Sequence, residues 1–232
     1  MHIAIFFALS CSAALTASIN FFQEILIKHV KNGRVDYQAI EAKEMQKLDA
    51  YLDGVAKVKL PEDRNARIGF LIDAYNAVVI KSVIANKRPR SVLVVKGFFN
   101  EQKHTVAGQQ VTLDDLEKKV LNPYAKDPRT HFVLVCAAVG CPILESSTFA
   151  GSNTDQRMDQ ATRRYLSSPA GAVAGDGAVK LSMIFKWYEA DFGGAKGVVD
   201  FVKKHLSADQ VKKLGDNPKV EFIDYNWTLN QQ

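Results

Sequence analysis

RNARIGFLIDAYNAVVIKSVIANK, residues 64–87, is the most apolar stretch in the body of the chain and decides the fold class. It is apolar on nearly every face, as a helix buried on all sides must be, so it predicts a central core helix. Within it stand Asp73 and Asn76, three residues apart and hence on one helix face. A buried carboxylate or amide costs several kcal/mol unless it is bonded. These two therefore either bond loop backbone and fix the fold, or line a cleft and orient a reacting group.

Outward from this helix the pattern is helical first and β-rich later. Phe22, Ile25, Leu26 and Val30 mark a helix stopped by Gly33, and Ile40, Met45, Leu48 and Leu52 mark a second one closed by Gly54. From Ser91 the texture turns β, with Val92–Val95 and a hairpin from Lys103 to Val111 around Ala107-Gly108. Thr112-x-x-Asp115 caps a helix to Leu121, and the strongest strand is His131–Cys136. A helix over Asp155–Leu166, a hairpin through Gly175-Asp176-Gly177, a capping box Ser207-x-x-Gln210 and a last strand Val220–Tyr225 follow. This order predicts an α+β fold, a central helix packed on an antiparallel sheet.

The chain has 232 residues, enough for one full-sized core, and no Pro/Gly/Ser linker parts it into two. Residues 1–17 read as a signal peptide, with Ile3–Ala17 free of charge, and residues 18–232 as a single domain. That places the mature protein in the periplasm or outside the cell. Removal of the leader takes Cys11 with it and leaves an even pair, Cys136 and Cys141, as suits an oxidising compartment. Beyond the leader no uninterrupted apolar run of about 18 residues predicts a membrane span. The net charge of +5 is spread over scattered Lys and Arg doublets without interleaved aromatics, which argues against a nucleic-acid partner.

The richest chemistry lies in His131-Phe-Val-Leu-Val-Cys136-Ala-Ala-Val-Gly-Cys141-Pro142. On a strand His131 and Cys136 would stand about 16 Å apart on opposite faces, too far for a dyad. Gly140 permits a turn and Pro142 favours a first helical position, which would put Cys141 at an N-cap where the helix dipole lowers a thiol pKa. Cys141 is thus the candidate nucleophile, His131 the candidate base and Glu117 its orienter. The competing reading is a disulfide between Cys136 and Cys141. A zinc site would draw its ligands from both faces of a strand at no usual spacing, so no metal is expected. Without a phosphate-cradling glycine loop or a dinucleotide fingerprint, no cofactor is expected either.

Asp36-Tyr37, Asp73-Ala-Tyr-Asn76, Thr112-Leu-Asp-Asp-Leu-Glu117, Asp127–Cys136, Gly140-Cys141-Pro142, Ser182-x-x-Phe185-x-Trp187-Tyr188-x-x-Asp191-Phe192 and Tyr225-Asn-Trp227-Thr-Leu-Asn230 occur in this order. Together they resemble the family catalogued as domain of unknown function 547, over about residues 35–230. The resemblance implies a distant likeness to papain- and transglutaminase-like thiol enzymes. It carries over Asn76, Glu117, His131, Cys136 and Cys141 as site residues and adds Tyr75 and Trp187 as binding candidates beside Asp73. Trp187, Tyr188 and Asp191 read alternatively as a packing knot around a satisfied carboxylate. Where the family reads Asn-x-Tyr-Asn, this chain begins with Asp73, and Lys118 stands where a His often follows the Glu.

Two functions are expected from these residues. In one, Cys141 attacks an amide, peptide or other acyl substrate, with Asn76 or backbone N–H groups holding the oxyanion. In the other, Cys136–Cys141 is a structural disulfide in a non-enzymatic envelope module that binds a small molecule or peptide.

Overall fold

A computed structural model describes residues 20–150 and 153–232, so the predicted leader and Cys11 lie outside the described residues. At its centre stands α4 (Arg64–Ala85), the fourth helix after α1 (residues 20–29), α2 (Tyr37–Lys43) and α3 (Met45–Lys57). The Asp63 side chain caps α4 by accepting from the Ala66 N–H at 2.8 Å, and nearly every residue from Ile68 to Ile84 is buried. The helix is long and apolar enough to cross a membrane, and its most apolar window is 89% buried inside the protein.

The fold is α+β, with corrections to its predicted details. Helices α2, α3 and α7 (Thr154–Leu166) lie against α4, and the three-stranded sheet belongs to a separate apolar cluster. The strands form two short hairpins, β1–β2 (Val30–Lys31, Arg34–Val35) and β3–β4 (His104–Val106, Gln109–Val111), and one three-stranded sheet, β5–β6–β7 (Ala172–Gly175, Ala178–Ser182, Lys219–Ile223). That sheet is mixed: β5 pairs antiparallel with β6, and β7 joins β6 in parallel. The intervening helices α8 (Ile184–Trp187), α9 (Gly194–His205) and α10 (Ala208–Leu214) carry the chain back to start β7 in the same direction.

Local signals account for the turns. The β3–β4 hairpin turns on Ala107 (φ +48°) and Gly108 (φ +77°), and both capping boxes, Thr112/Asp115 and Ser207/Gln210, are formed. The helix opened by Thr112 runs past Leu121. It passes from α5 (Leu113–Asp115) through a π-helical turn (Leu116–Leu121) into α6 (Asn122–Ala125). The predicted second helix is two, α2 and α3, and α3 runs through Gly54 to Lys57. Val92–Val94 is a 3-10 turn with Leu93 and Val94 exposed, in place of a strand.

His131–Cys136, the predicted central strand, is not a strand. Pro128–Phe132 is a 3-10 turn capped by Asp127, and Val133–Cys136 pairs with no strand among the described residues. Its buried backbone still needs partners. Asn76 supplies them: its amide Nδ2 donates to the Val133 carbonyl and its Oδ1 accepts from the Val135 N–H, each at 3.0 Å. One side chain of the core helix thus does what a neighbouring strand would do. The same segment joins two apolar clusters, with Val133–Val135 in the cluster around α4 and Phe132 in the cluster around the mixed sheet and α9.

Candidate functional site

The π-helical turn presents Glu117 and Lys118, the 3-10 turn presents His131, and the end of α8 presents Trp187 with Tyr188 just beyond it. A second 3-10 turn (Glu189–Phe192) adds Asp191, and the tail adds Tyr225 and Trp227. All of these but Asp191 line a cleft of about 310 Å³, whose lining also includes Tyr75, Phe99 and Cys136. A second cavity of about 560 Å³ adjoins it, sharing Lys118, His131, Trp187 and Tyr188 and adding Asn122, Lys126, Asp127 and Asp191. A single π-helical turn widens the helix locally and re-aims its side chains. Here it carries Glu117 and Lys118, the two helical residues that flank the histidine.

His131 is buried with a carboxylate at each ring nitrogen. Nε2 lies 2.8 Å from Asp191 Oδ2, and Nδ1 lies 3.6 Å from Glu117 Oε1. The Tyr188 ring stacks on the imidazole with centroids 3.9 Å apart. Burial, and then the Glu117 carboxylate beside it, push the Tyr188 phenol well above its ordinary range, so it remains a hydrogen-bond donor. Glu117 is buried, whereas the Asp191 side chain is 46% exposed and reaches His131 from the solvent side. Trp187, Tyr225 and Trp227 form an aromatic rim, with ring centroids 4.8–5.7 Å apart.

Cys136 and Cys141 are joined in a disulfide. The Cys136 N–H donates to Cys141 Sγ at 3.1 Å, and the Tyr225 hydroxyl lies 3.3 Å from Cys136 Sγ and 3.2 Å from Cys141 Sγ. The loop between the cysteines is zipped to the tail. The Val139 N–H donates to the Thr228 carbonyl, the Gly140 N–H to the Asn226 carbonyl and the Asn230 N–H to the Ala137 carbonyl. A Cβ at Gly140 would come within 2.9 Å of the Asn226 nitrogen, so this approach of two backbones requires glycine.

The candidate residues separate into three groups. His131, Glu117, Tyr75, Trp187 and Cys136 line the cleft. Asp73 and Asn76 do not: Asn76 holds Val133 and Val135, and Asp73 accepts from the Phe149 and Ala150 N–H groups at 2.8 and 2.7 Å. Burial pushes the Asp73 carboxyl up to about 7 despite those two bonds and the nearby Arg157 guanidinium. Both residues thus fix backbone, and Asn76, which does not line the cleft, is not placed to hold an oxyanion there. Cys141 is the third case and corrects the helix-dipole argument. Pro142 opens no helix among the described residues, and Cys141 is bonded to Cys136 and 5% exposed. Of the two cysteines it is Cys136 that lines the cleft beside His131.

Asp191, Tyr188 and Tyr225 complete the site. Trp187-Tyr188-x-x-Asp191 also reads as a packing knot, but Asp191 is the closest partner of His131. Two aromatics followed by a carboxylate at the edge of an apolar cluster were the available signal. Among the described residues no three His, Cys, Asp or Glu side chains are placed to hold a metal ion.

Residues 60–166 match the family model described as "Protein of unknown function, DUF547". No curated protein and no solved structure matches the chain. The matched segment contains α4, the π-helical turn, His131 and both bonded cysteines, whereas Trp187, Asp191 and Tyr225 lie beyond it. The likeness to the family of unknown function DUF547 thus rests on residues 60–166, just under half of the chain.

Proposed function

We propose that the chain is a ligand-binding module of the periplasm or cell exterior, whose cleft at His131 takes a compact organic molecule bearing amine or hydroxyl donors. The observation that supports this most is the setting of His131, flanked by Asp191 and Glu117 where two cavities join. Glu117 and Asp191 offer acceptors to such donors, while Asp114 and Lys118 pair with each other at 3.0 Å. Anionic ligands are therefore disfavoured, and the aromatic rim suits an apolar or cationic face. The leader-like residues 3–17 and the disulfide support the location.

Isothermal titration of the purified chain against amines, amino alcohols, short oligosaccharides and carboxylate-only controls tests the reading. Saturable heat with a donor-bearing ligand, lost in His131→Ala, is expected. The reading fails if no such ligand binds better than the carboxylates, or if His131→Ala binds as well as the parent.

A second reading, a thiol-dependent hydrolase or acyltransferase acting on an amide or peptide, is favoured by Cys136 and His131 lining one cleft. Its nucleophile is Cys136, freed by reduction, and it would carry the papain- or transglutaminase-like relationship with it. Peptide or acyl-ester turnover by the reduced chain, abolished in Cys136→Ser and retained in Cys141→Ser, separates it from the first.

A further inference from the structure

The two sulfurs of the Cys136–Cys141 bridge differ in access and in hydrogen bonding. Cys136 is half-buried and lines the cleft with Trp187, Tyr225 and Trp227. Cys141 is buried and lines a separate cavity of about 320 Å³ with Phe132, Arg164 and Tyr165. Cys141 Sγ has two donors within reach, the Cys136 N–H and the Tyr225 O–H. Among the described residues Cys136 Sγ has the Tyr225 hydroxyl alone, and that hydroxyl can give its one proton to only one sulfur at a time.

We propose that this bridge is a thiol–disulfide exchange site, opened by a small thiolate that enters the cleft and attacks Cys136 Sγ. A bond forms between the incoming sulfur and Cys136 Sγ, the Cys136–Cys141 bond breaks, and its electron pair leaves on Cys141 Sγ as a thiolate. The Cys136 N–H and the Tyr225 O–H face that charge as it develops, and a stabilised thiolate is the faster leaving group. A second small thiolate then attacks the incoming sulfur and releases Cys136 as a thiolate. Two thiols are oxidised to one disulfide while the protein bridge is reduced to two thiols. A cleft of about 310 Å³ admits a low-molecular-weight thiol, and the Glu117 carboxylate favours a cationic one. The exchange depends on access to Cys136 and on the donors to Cys141, and not on which ligand the cleft binds.

The test uses the full oxidised chain and cysteamine, a small cationic thiol, at mildly alkaline pH. Quenching by alkylation in denaturant and peptide mass spectrometry then locate the adduct. The expected early product carries cysteamine on Cys136 and an alkyl group on Cys141, in at least about tenfold excess over the reverse isomer. Tyr225→Phe removes one donor to the leaving sulfur and should slow adduct formation about fivefold. An adduct on Cys141, an even split, or a bridge that resists cysteamine when folded but reacts when unfolded overturns the proposal. Two cysteines that alkylate without any reductant overturn it as well. The isomer ratio is read on the unsubstituted chain, so the result stands even where Tyr225→Phe folds poorly.

Discussion

Asp191 Oδ2 lies 2.8 Å from His131 Nε2 across 60 residues of sequence, and it is the half-exposed one of the two carboxylates on that imidazole. Exposure makes Asp191 separable from the fold. Asp191→Ala should leave thermal stability within about 1 kcal/mol, the net worth of one hydrogen bond from a half-exposed carboxylate. Ligand affinity should fall roughly tenfold to a hundredfold, the worth of one charge-assisted hydrogen bond. Calorimetric titration beside a thermal melt checks both, and an unchanged affinity would remove Asp191 from the site.

Asn76 should behave in the opposite way. In Asn76→Leu the Val133 carbonyl and the Val135 N–H lose their partner inside the protein. Each orphaned buried group costs about 1–3 kcal/mol, so the variant should lose on the order of 2–5 kcal/mol in urea unfolding. Asn76→Asp keeps an acceptor for Val135 but has no donor for Val133, and at neutral pH it should be no more stable.

Asp73 gives stability a pH dependence of unusual sign for a carboxyl. Burial raises its folded value to about 7, above the ordinary value near 4. Between those values the folded chain holds the proton more tightly than the unfolded chain does. Its contribution is therefore fully present below about pH 4 and lost as pH rises to about 7, a change on the order of a few kcal/mol. Asp73→Asn does not titrate and should flatten that part of the profile. Urea midpoints taken every half pH unit on both chains decide it, and superimposable profiles would show that Asp73 ionises normally.

Gly140 is a point of close backbone approach between the disulfide loop and the tail. Gly140→Ala places a methyl group against the Asn226 backbone and should cost about 1–3 kcal/mol, the usual cost of overpacking. Limited proteolysis should then cut near Asn226–Leu229 sooner than in the parent chain. Equal cleavage rates would mean that the tail shifts without loss.

Features set by neighbours in sequence were legible, and those set by distant partners were not. Thr112 with Asp115, Ser207 with Gln210, and Ala107-Gly108 act within four residues, and each forms the cap or turn its side chains dictate. The composition of His131–Cys136 reads as β because the segment is buried and β-branched. What binds its backbone is Asn76, 57 and 59 residues away, and no local pattern encodes that exchange. Helical spacing put Asp73 and Asn76 on one face, yet one meets the 149–150 loop and the other the 133–135 segment. A face is not a destination. His131 and Glu117 were recognisable as a pair, but Asp191 and Tyr225 reach the site only through the three-dimensional path of the chain. A nucleophilic Cys141 needs a helix after Pro142, and residues 142–150 form none.

The zipper between the cysteine loop and the tail also sets an order of events in synthesis. Cys136 and Cys141 are five residues apart and can meet as soon as both have been made, whereas Tyr225 follows Cys141 by 84 residues. At a translation rate of about 5–20 residues per second, an oxidant reaching the nascent chain has several seconds to close the bridge before its hydroxyl donor exists. During that interval the cysteine loop lacks the backbone partners that residues 226–230 later provide. Pairing of the sulfurs can thus come first and shielding of the bridge last.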